Sequence, residues 1–144
     1  NPCGFDLHTV ELQVHDLINA ERQRAGLAPL DWSEELADIA RGHSQDMAAR
    51  AYFGHTSPEG NNAQDRYEAA GFFAPNVWAE NIFYSSVPSP TYYTQEELAP
   101  MAVEEWMNSS GHRAYILRQD FYLEGIGIGM AADMSLFFTQ NFAG

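Results

Sequence analysis

Apolar residues recur at helical spacing along three stretches of the chain, residues 8–25, 33–50 and 95–108. In the first stretch they follow the i, i+4, i+7, i+8 pattern of one helix face, at Val10, Val14, Leu17 and Ile18. In the second stretch the apolar stripe includes a histidine and runs through Leu36, Ala40, His43 and Met47. The third stretch carries apolar residues at i, i+3 and i+4, at Val103, Trp106 and Met107. These patterns predict three amphipathic helices, with Trp106 as the core anchor of the third.

Local end signals support these helices and predict a fourth, shorter one. Ser33 is a suitable N-cap, and two glutamates follow it in the first turn, where the helix dipole favours them. A short helix is also predicted over residues 63–70. Two pairs have the spacing of a capping box: Thr94 with Glu97, and Asn61 with Gln64.

The period changes from helical to alternating near the C-terminus. Residues 124–130 alternate glycine with apolar residues, and residues 135–142 are aromatic and strand-like. Residues 131–133 between them would turn an antiparallel hairpin. The alternating glycines predict that another element packs closely on one face of the sheet. Residues 76–84 do not favour one type of secondary structure, and residues 85–94 are predicted as a loop.

Composition and charge narrow the class of protein. The 144 residues contain no repeat or linker, so we predict one α+β domain over residues 8–144 after an N-terminal arm over residues 1–7. The formal net charge of −13 argues against nucleic acid and against anionic membrane surfaces as partners. The single cysteine, Cys3, excludes an intrachain disulfide. No apolar run approaches the roughly 20 residues of a spanning helix.

Residue types alone make His55, Glu80 and His112 candidates for a metal site or an acid–base cluster. Two imidazoles and one carboxylate form a ligand set that zinc accepts. The spacing does not establish proximity, and each residue also has a structural interpretation. His55 could cap its loop, His112 could bond a backbone carbonyl, and Glu80 could tie loop amides. We expect His43, on an apolar stripe, to be a hydrogen-bonded core residue.

Four motifs in order resemble the bacterial branch of the CAP superfamily, the cysteine-rich secretory, antigen 5 and pathogenesis-related proteins. The resemblance covers nearly the whole chain, and it implies a three-layer α-β-α sandwich with a central twisted antiparallel sheet. It also implies a secreted or extracytoplasmic location. The motifs are Gly-His-Thr-Ser-Pro-Glu-Gly at 54–60, Ala-Glu-Asn-Ile at 79–82, Trp-Met-Asn-Ser-Ser-Gly-His-Arg-Ala-Tyr-Ile-Leu at 106–117, and Phe-Thr-Gln-Asn-Phe at 138–142.

The resemblance also implies a cleft that holds a divalent cation, most naturally zinc. By this comparison His55 and His112 are the metal ligands, and Glu80 is the first of two cleft glutamates. The second glutamate of the family falls at Ser109 in this chain, so the pattern departs there. Glu104 and Glu105 are the alternatives, although each precedes Trp106.

Three functions remain open from the sequence. The preferred one is a secreted, monomeric, non-enzymatic module whose cleft binds a cation and a lipid, glycan or protein partner. The second is a metal-assisted hydrolase with Glu80 as the general base. The third is a structural extracellular domain with a vestigial cleft. We also expect Glu80 to favour protonated rings in the neighbouring histidines when no metal is bound.

Overall fold

The computed structural model describes residues 4–72, 75–85 and 92–144. The helices and strands bounded in these ranges are α1 (Leu7–Arg24), β1 (Asp31–Trp32), α2 (Glu34–Arg50), α3 (Ala63–Ala69), β2 (Trp78–Ser85), α4 (Gln95–Met107), α5 (Ser110–Ile116), β3 (Leu123–Met130) and β4 (Leu136–Ala143). Cys3 and most of the predicted loop over residues 85–94 lie outside the described residues. No helix in the described ranges has the length and apolar content needed to span a membrane.

The predicted helix starts are confirmed, with one correction. The Ser33 side chain accepts a hydrogen bond from the backbone N–H of Leu36 at 3.2 Å, as its position before α2 predicted. The capping box of α3 is formed by Asn62 and Asp65, not by Asn61 and Gln64. The neighbouring Asn61 instead donates its N–H to the Ser57 side chain, which keeps Asn61 in the preceding loop.

The sheet has the strand order β1-β3-β4-β2. β4 pairs antiparallel with both β3 and β2, so the predicted C-terminal hairpin is confirmed and residues 78–85 prove to be a strand. The turn is closed by a hydrogen bond from the Ala131 N–H to the Ser135 carbonyl at 2.9 Å. β1 was not predicted, and it pairs parallel with β3 through two residues. The otherwise antiparallel sheet therefore contains one short parallel pair.

Helices cover both faces of this sheet, which confirms the α-β-α sandwich. α2 packs on β3 and β4, with α3 beside it, and α1, α4 and α5 lie on the opposite face. The glycines of β3 allow α2 to approach closely, because a Cβ on Gly127 would lie 2.0 Å from the Arg41 nitrogen. This contact confirms the close packing predicted from the alternating glycines.

Trp106 ties α4 to the edge strand β2. Its side chain is fully buried, and its indole N–H donates to the Ile82 carbonyl at 3.0 Å. This bond confirms the predicted core anchor and also satisfies a carbonyl of an edge strand.

Candidate functional site

The edge strand β2 supplies the centre of the candidate site. Side chains alternate between the two faces of a strand. Glu80 therefore points to the face covered by α2 and α3, and Asn81 points to the face covered by α5. The loop that carries His55 approaches from the first face, and His112 lies on α5 on the second. The site is thus arranged around an open edge of the sheet.

Glu80 is buried, with 4% of its surface exposed, and both carboxylate oxygens have partners. Oε2 accepts from Arg66 Nη2 at 2.6 Å and from Asn141 Nδ2 at 2.8 Å. Oε1 lies 2.9 Å from Nδ1 of His55. Burial pushes the pKa of Glu80 upward, but the His55 hydrogen bond and the Arg66 charge outweigh it and lower the pKa. Glu80 is therefore ionised at neutral pH.

His55 is held in a defined orientation by this carboxylate. An ionised carboxylate only accepts hydrogen bonds, so Nδ1 of His55 carries a proton, and the tautomer of the neutral ring is the one with its lone pair on Nε2. Arg66 also donates to the His55 backbone carbonyl at 3.1 Å, which fixes the loop. The His55 side chain remains 53% exposed. A half-exposed imidazole with one nitrogen bonded to a buried carboxylate is the arrangement that commonly orients metal-binding histidines.

His43 lies beneath this loop and supports it. Its Nε2 is 2.8 Å from the Gly54 carbonyl, and the side chain is almost fully buried. Burial lowers the pKa of His43, and the Arg66 charge lowers it further, although Glu80 acts in the other direction. His43 is therefore neutral, so Nε2 donates to Gly54. This confirms the expectation of a hydrogen-bonded core histidine.

His112 approaches from the other face of the sheet and has no hydrogen bond to Glu80 or His55 among the described residues. Its backbone carbonyl accepts from the Asn81 side chain at 3.2 Å. Its Nδ1 atom is buried without a partner in the described structure. Burial and the charge of His55 lower the pKa of His112. The expectation that Glu80 favours the protonated form of His112 is therefore wrong, because the pKa of His112 is lowered overall.

Ser109, Glu104 and Glu105 occupy different surroundings. Ser109 is the N-cap of α5, but its side chain makes no capping hydrogen bond. Glu105 is exposed, and its charge raises the pKa of His112, which shows that its field reaches the site. Glu104 lines a groove between α4 and α1 instead. Glu105 is thus the acidic residue of α4 that is better placed to act on the site.

Sequence reasoning missed three side chains that hold this site together: Arg66, Asn81 and Asn141. Arg66 lay within the predicted short helix, but nothing in the spacing indicated that it would reach Glu80. The two asparagines belong to recognised motifs, and strand alternation would have shown only which face each one takes.

A second buried carboxylate, Glu124, lies on the α1 face of the sheet. Its Oε2 is 2.6 Å from Nδ1 of His15, and its Oε1 accepts from Gln140 Nε2 at 2.8 Å. Gln140 in turn accepts from Asn81 at 3.0 Å, and Asn81 donates to His112 as well. A continuous polar network therefore runs across this face of the sheet, from α1 to α5.

Within the described part of the chain, no three His, Cys, Asp or Glu side chains are grouped so that they could hold a metal ion. The nitrogen donors that the geometry leaves for a cation are the imidazoles of His55 and His112. The site thus consists of His55, oriented by the buried Glu80 carboxylate, and of His112, which approaches from the other face of the sheet.

Together, the layers and this histidine–carboxylate site define an α-β-α sandwich domain with a polar site at one sheet edge. Residues 15–142 match the model of the cysteine-rich secretory protein (CAP) family. The chain belongs to this family.

Two curated relatives come from Bacillus subtilis, the membrane protein YlbC and the protein YkwD. They are 37% and 39% identical to this chain over 134 residues, which is 93% of the chain. The chain spans only 34% and 47% of their respective lengths. A CAP domain of this kind therefore forms one part of those longer proteins.

Solved structures agree with the fold. An extracellular protein from Bacillus anthracis that contains an SCP domain superposes with a TM-score of 0.75 at 34% identity, covering 94% of this chain and 40% of that protein. An outer surface protein from Borrelia burgdorferi superposes with a TM-score of 0.79 at 16% identity, covering 96% of this chain and 95% of that protein. The second likeness concerns the fold alone.

Proposed function

We propose that this chain is an extracytoplasmic, non-enzymatic CAP domain that binds a divalent cation, zinc in the first instance, through His55 and His112. The observation that carries the proposal is the 2.9 Å contact between His55 Nδ1 and the buried Glu80 carboxylate. This contact leaves Nε2 of His55 as a preoriented donor. The location follows the extracellular homologue from Bacillus anthracis.

The nitrogen atoms of the two imidazoles suit a cation but do not complete its coordination. His112 contributes a lowered pKa, which keeps its ring neutral and able to coordinate, and a buried Nδ1 without a partner. Ser109 stands where the family has a second glutamate, so this position offers no carboxylate as a third ligand beside the two imidazoles. Catalytic zinc sites have three protein ligands, and we therefore expect modest affinity.

The surroundings of Glu80 favour binding over hydrolysis. A general base must be able to accept a proton from a water that reaches it. Both oxygens of Glu80 are already used, its surface is buried, and its pKa is lowered. Each of these properties makes Glu80 a weak base for a metal-bound water. Its role here is to orient His55, and Arg66 and Asn141 hold it in place.

Calorimetric titration with zinc tests the cation site. We expect His55→Ala and His112→Ala each to remove most of the binding. His8→Ala is the matched control, because the His8 side chain is 55% exposed, close to the 53% of His55, and lies on α1. Equal affinity in the wild type and in both cleft variants would refute the proposal. The same result would assign any bound zinc to surface carboxylates.

Two further titrations refine this test. Zinc affinity should fall below about pH 6, because protons compete with the cation for neutral imidazole. Ser109→Glu should tighten binding, since it places a carboxylate at the N-cap of α5, three residues before His112. Mass spectrometry of lipid and glycan extracts from the purified protein would then identify the class of partner.

A further inference from the structure

A second groove lies beside the C-terminal end of β2 and holds about 510 Å³. Ligand pockets in proteins typically enclose roughly 300–1,000 Å³. The walls are the end of α2 with the three residues that follow it, the turn between β3 and β4, and the rings of Tyr84 and Phe137. Tyr84 is four residues beyond Glu80, or about 13 Å along the strand. Neither His55 nor His112 lines this groove, although Phe53 in its wall precedes His55 by two residues.

Three aromatic rings, those of Phe137, Tyr84 and Phe53, lie next to one another in the groove. Phe137 is buried and stacks on Tyr84 with 4.6 Å between ring centroids, and Phe53 lies 5.8 Å beyond Tyr84 at a tilt of 36°. The outer rings are open to solvent, with 37% of Tyr84 and 50% of Phe53 exposed. The aromatic surface therefore continues from the core to the outside of the molecule, where a ligand can reach it.

The charge among the described residues that line the groove is negative. Asp133 lies in its wall, and the hydroxyl and N–H of Ser135 donate to its carboxylate at 2.6 and 3.0 Å. These bonds lower the pKa of Asp133, so it is ionised at neutral pH. None of the described residues that line the groove is Lys, Arg or His.

One cation already lies against the aromatic surface nearby. The Arg50 guanidinium is 5.8 Å from the centre of the Tyr52 ring, but Asp46 and Glu59 neutralise it. It lies outside the groove wall and leaves the faces of Phe53 and Tyr84 without a positive partner among the described residues.

We propose that this groove binds an organic cation of the alkylammonium class. The half-exposed ring of Phe53 presents a negative face to the cationic head beside the exposed part of Tyr84, whose other contact is the stacked Phe137 ring, and the groove buries the apolar substituents. Asp133 supplies the opposite charge. Anionic ligands are disfavoured both by this carboxylate and by the net charge of −13. The inference does not depend on the cation site at His55 and His112.

Choline and its neutral isostere 3,3-dimethylbutan-1-ol test the proposal, because they share a shape and differ in charge. Titrations followed by amide chemical shifts in NMR spectra should give saturable changes at Phe53, Tyr84 and residues 131–135 with choline. The isostere should bind about 2- to 30-fold more weakly, which is the range of single cation–π contributions.

Three variants separate the contributions. Phe53→Ala removes a half-exposed ring and should weaken choline binding by a similar factor without unfolding the protein. Asp133→Asn keeps the acceptor oxygen for Ser135 and should weaken choline binding but not binding of the isostere. Asp31→Asn is the matched control, because it makes the same change in net charge on β1, at the far edge of the sheet.

Four results would overturn the proposal. Equal affinity for choline and its isostere would mean that the groove recognises only apolar groups. Equal weakening of choline binding by Asp31→Asn and Asp133→Asn would mean that choline responds to net charge and not to Asp133. Absence of shifts in the groove at every choline concentration that leaves the protein folded would remove the site. Shifts that depend on protein concentration alone would assign the groove to a second copy of the chain.

Discussion

At the scale of single residues, Glu80 connects parts of the chain that are far apart in sequence. One carboxylate joins the loop at His55, the helix at Arg66 and the strand at Asn141. Removing such a charge from water is unfavourable unless its partners remain in place. The same contacts that orient His55 for a cation therefore also contribute to the stability of the fold.

Arg66→Ala should cost about 3–5 kcal/mol in the free energy of unfolding, because it leaves a buried carboxylate with one cationic partner fewer. The urea midpoint measures this loss. Arg50→Ala is the control: Arg50 makes two ion pairs of similar length, but on the surface, where such pairs add little. Similar midpoints for the two variants would contradict the structural role assigned to Arg66.

The sequence allowed part of this site to be foreseen. Family motifs indicated His55 and Glu80, and the structure joins them directly. The apolar stripe of α2 identified His43 as a core residue, because that stripe requires burial. Arg66 and Asn141 were not predicted, since their contacts depend on how α3 and β4 meet around β2. Such long-range docking leaves no periodic trace in the residues themselves.

At the scale of elements, the packing of α2 on β3 depends on the absence of side chains. A Cβ on Gly125 or Gly127 would lie 2.0 Å from a backbone nitrogen of α2, and one on Gly129 would lie 2.6 Å from the backbone of Ser44. Backbone atoms of a helix cannot move aside as a flexible side chain can. The three alternate positions of β3 that face α2 therefore require glycine.

Gly127→Ala should destabilise the protein by about 1–3 kcal/mol or more, because the new methyl group forces α2 away from the sheet. Gly42→Ala is the matched control within α2. A Cβ at Gly42 meets no atom within 4 Å, so this variant should gain up to about 1 kcal/mol from helix propensity. Thermal unfolding of both variants measures the contrast, and a stable Gly127→Ala protein would show that α2 does not rest on β3.

Trp106 performs the corresponding task for α4. Trp106→Ala should cost about 3–5 kcal/mol, because it opens a cavity in the core. The Ile82 carbonyl would also lose its donor. Denaturant unfolding measures the loss, and Tyr122→Ala, which removes a large ring from the surface, should barely change the midpoint. A small effect of the tryptophan variant would mean that the indole is not a core anchor.

Elements with strong periodicity or clear caps were predictable, and short ones were not. α1, α2 and α4 were predicted from their apolar stripes, with ends within one residue of the observed bounds for most termini. β1 has two residues, too few to show a period, and it exists only through its pairing with β3. Asn61 and Asn62 are chemically identical candidates for an N-cap, and only their contacts in the fold distinguish them: Asn62 forms the capping box with Asp65, and Asn61 bonds to Ser57.

At the scale of the whole molecule, side chains form hydrogen bonds with backbone groups near both edges of the sheet. Beyond the short β1, the Ile128 N–H of β3 donates to the buried carboxylate of Glu11 at 2.9 Å, and Arg41 of α2 pairs with that carboxylate from the other layer. On the opposite edge, Trp106 bonds Ile82. Exposed strand edges invite association with other chains, and these contacts occupy one backbone group on each edge.

Buried charge extends through the interior in the network that joins His15, Glu124, Gln140 and Asn81. Burial lowers the pKa of His15, but the hydrogen bond and charge of Glu124 outweigh it, and Asp16 and Asp31 act in the same direction. The pKa of His15 therefore lies above its ordinary value of about 6.5. Its protonated form is bound more tightly in the folded chain than in the unfolded chain.

The pH dependence of stability should reveal this pair. A group with a raised pKa contributes stability that is fully present below about pH 6.5 and is lost as the pH rises through its folded-state pKa. His15→Gln lacks this proton. Its free energy of unfolding should therefore fall furthest below that of the wild type in mildly acidic solution, and the difference should shrink in alkaline solution. Glu124→Gln should abolish the same dependence, since it removes the charge that raises the His15 pKa. Urea unfolding between about pH 6 and pH 9 spans the window. A deficit that stays constant or grows with pH would mean that His15 is not held in its protonated form by Glu124.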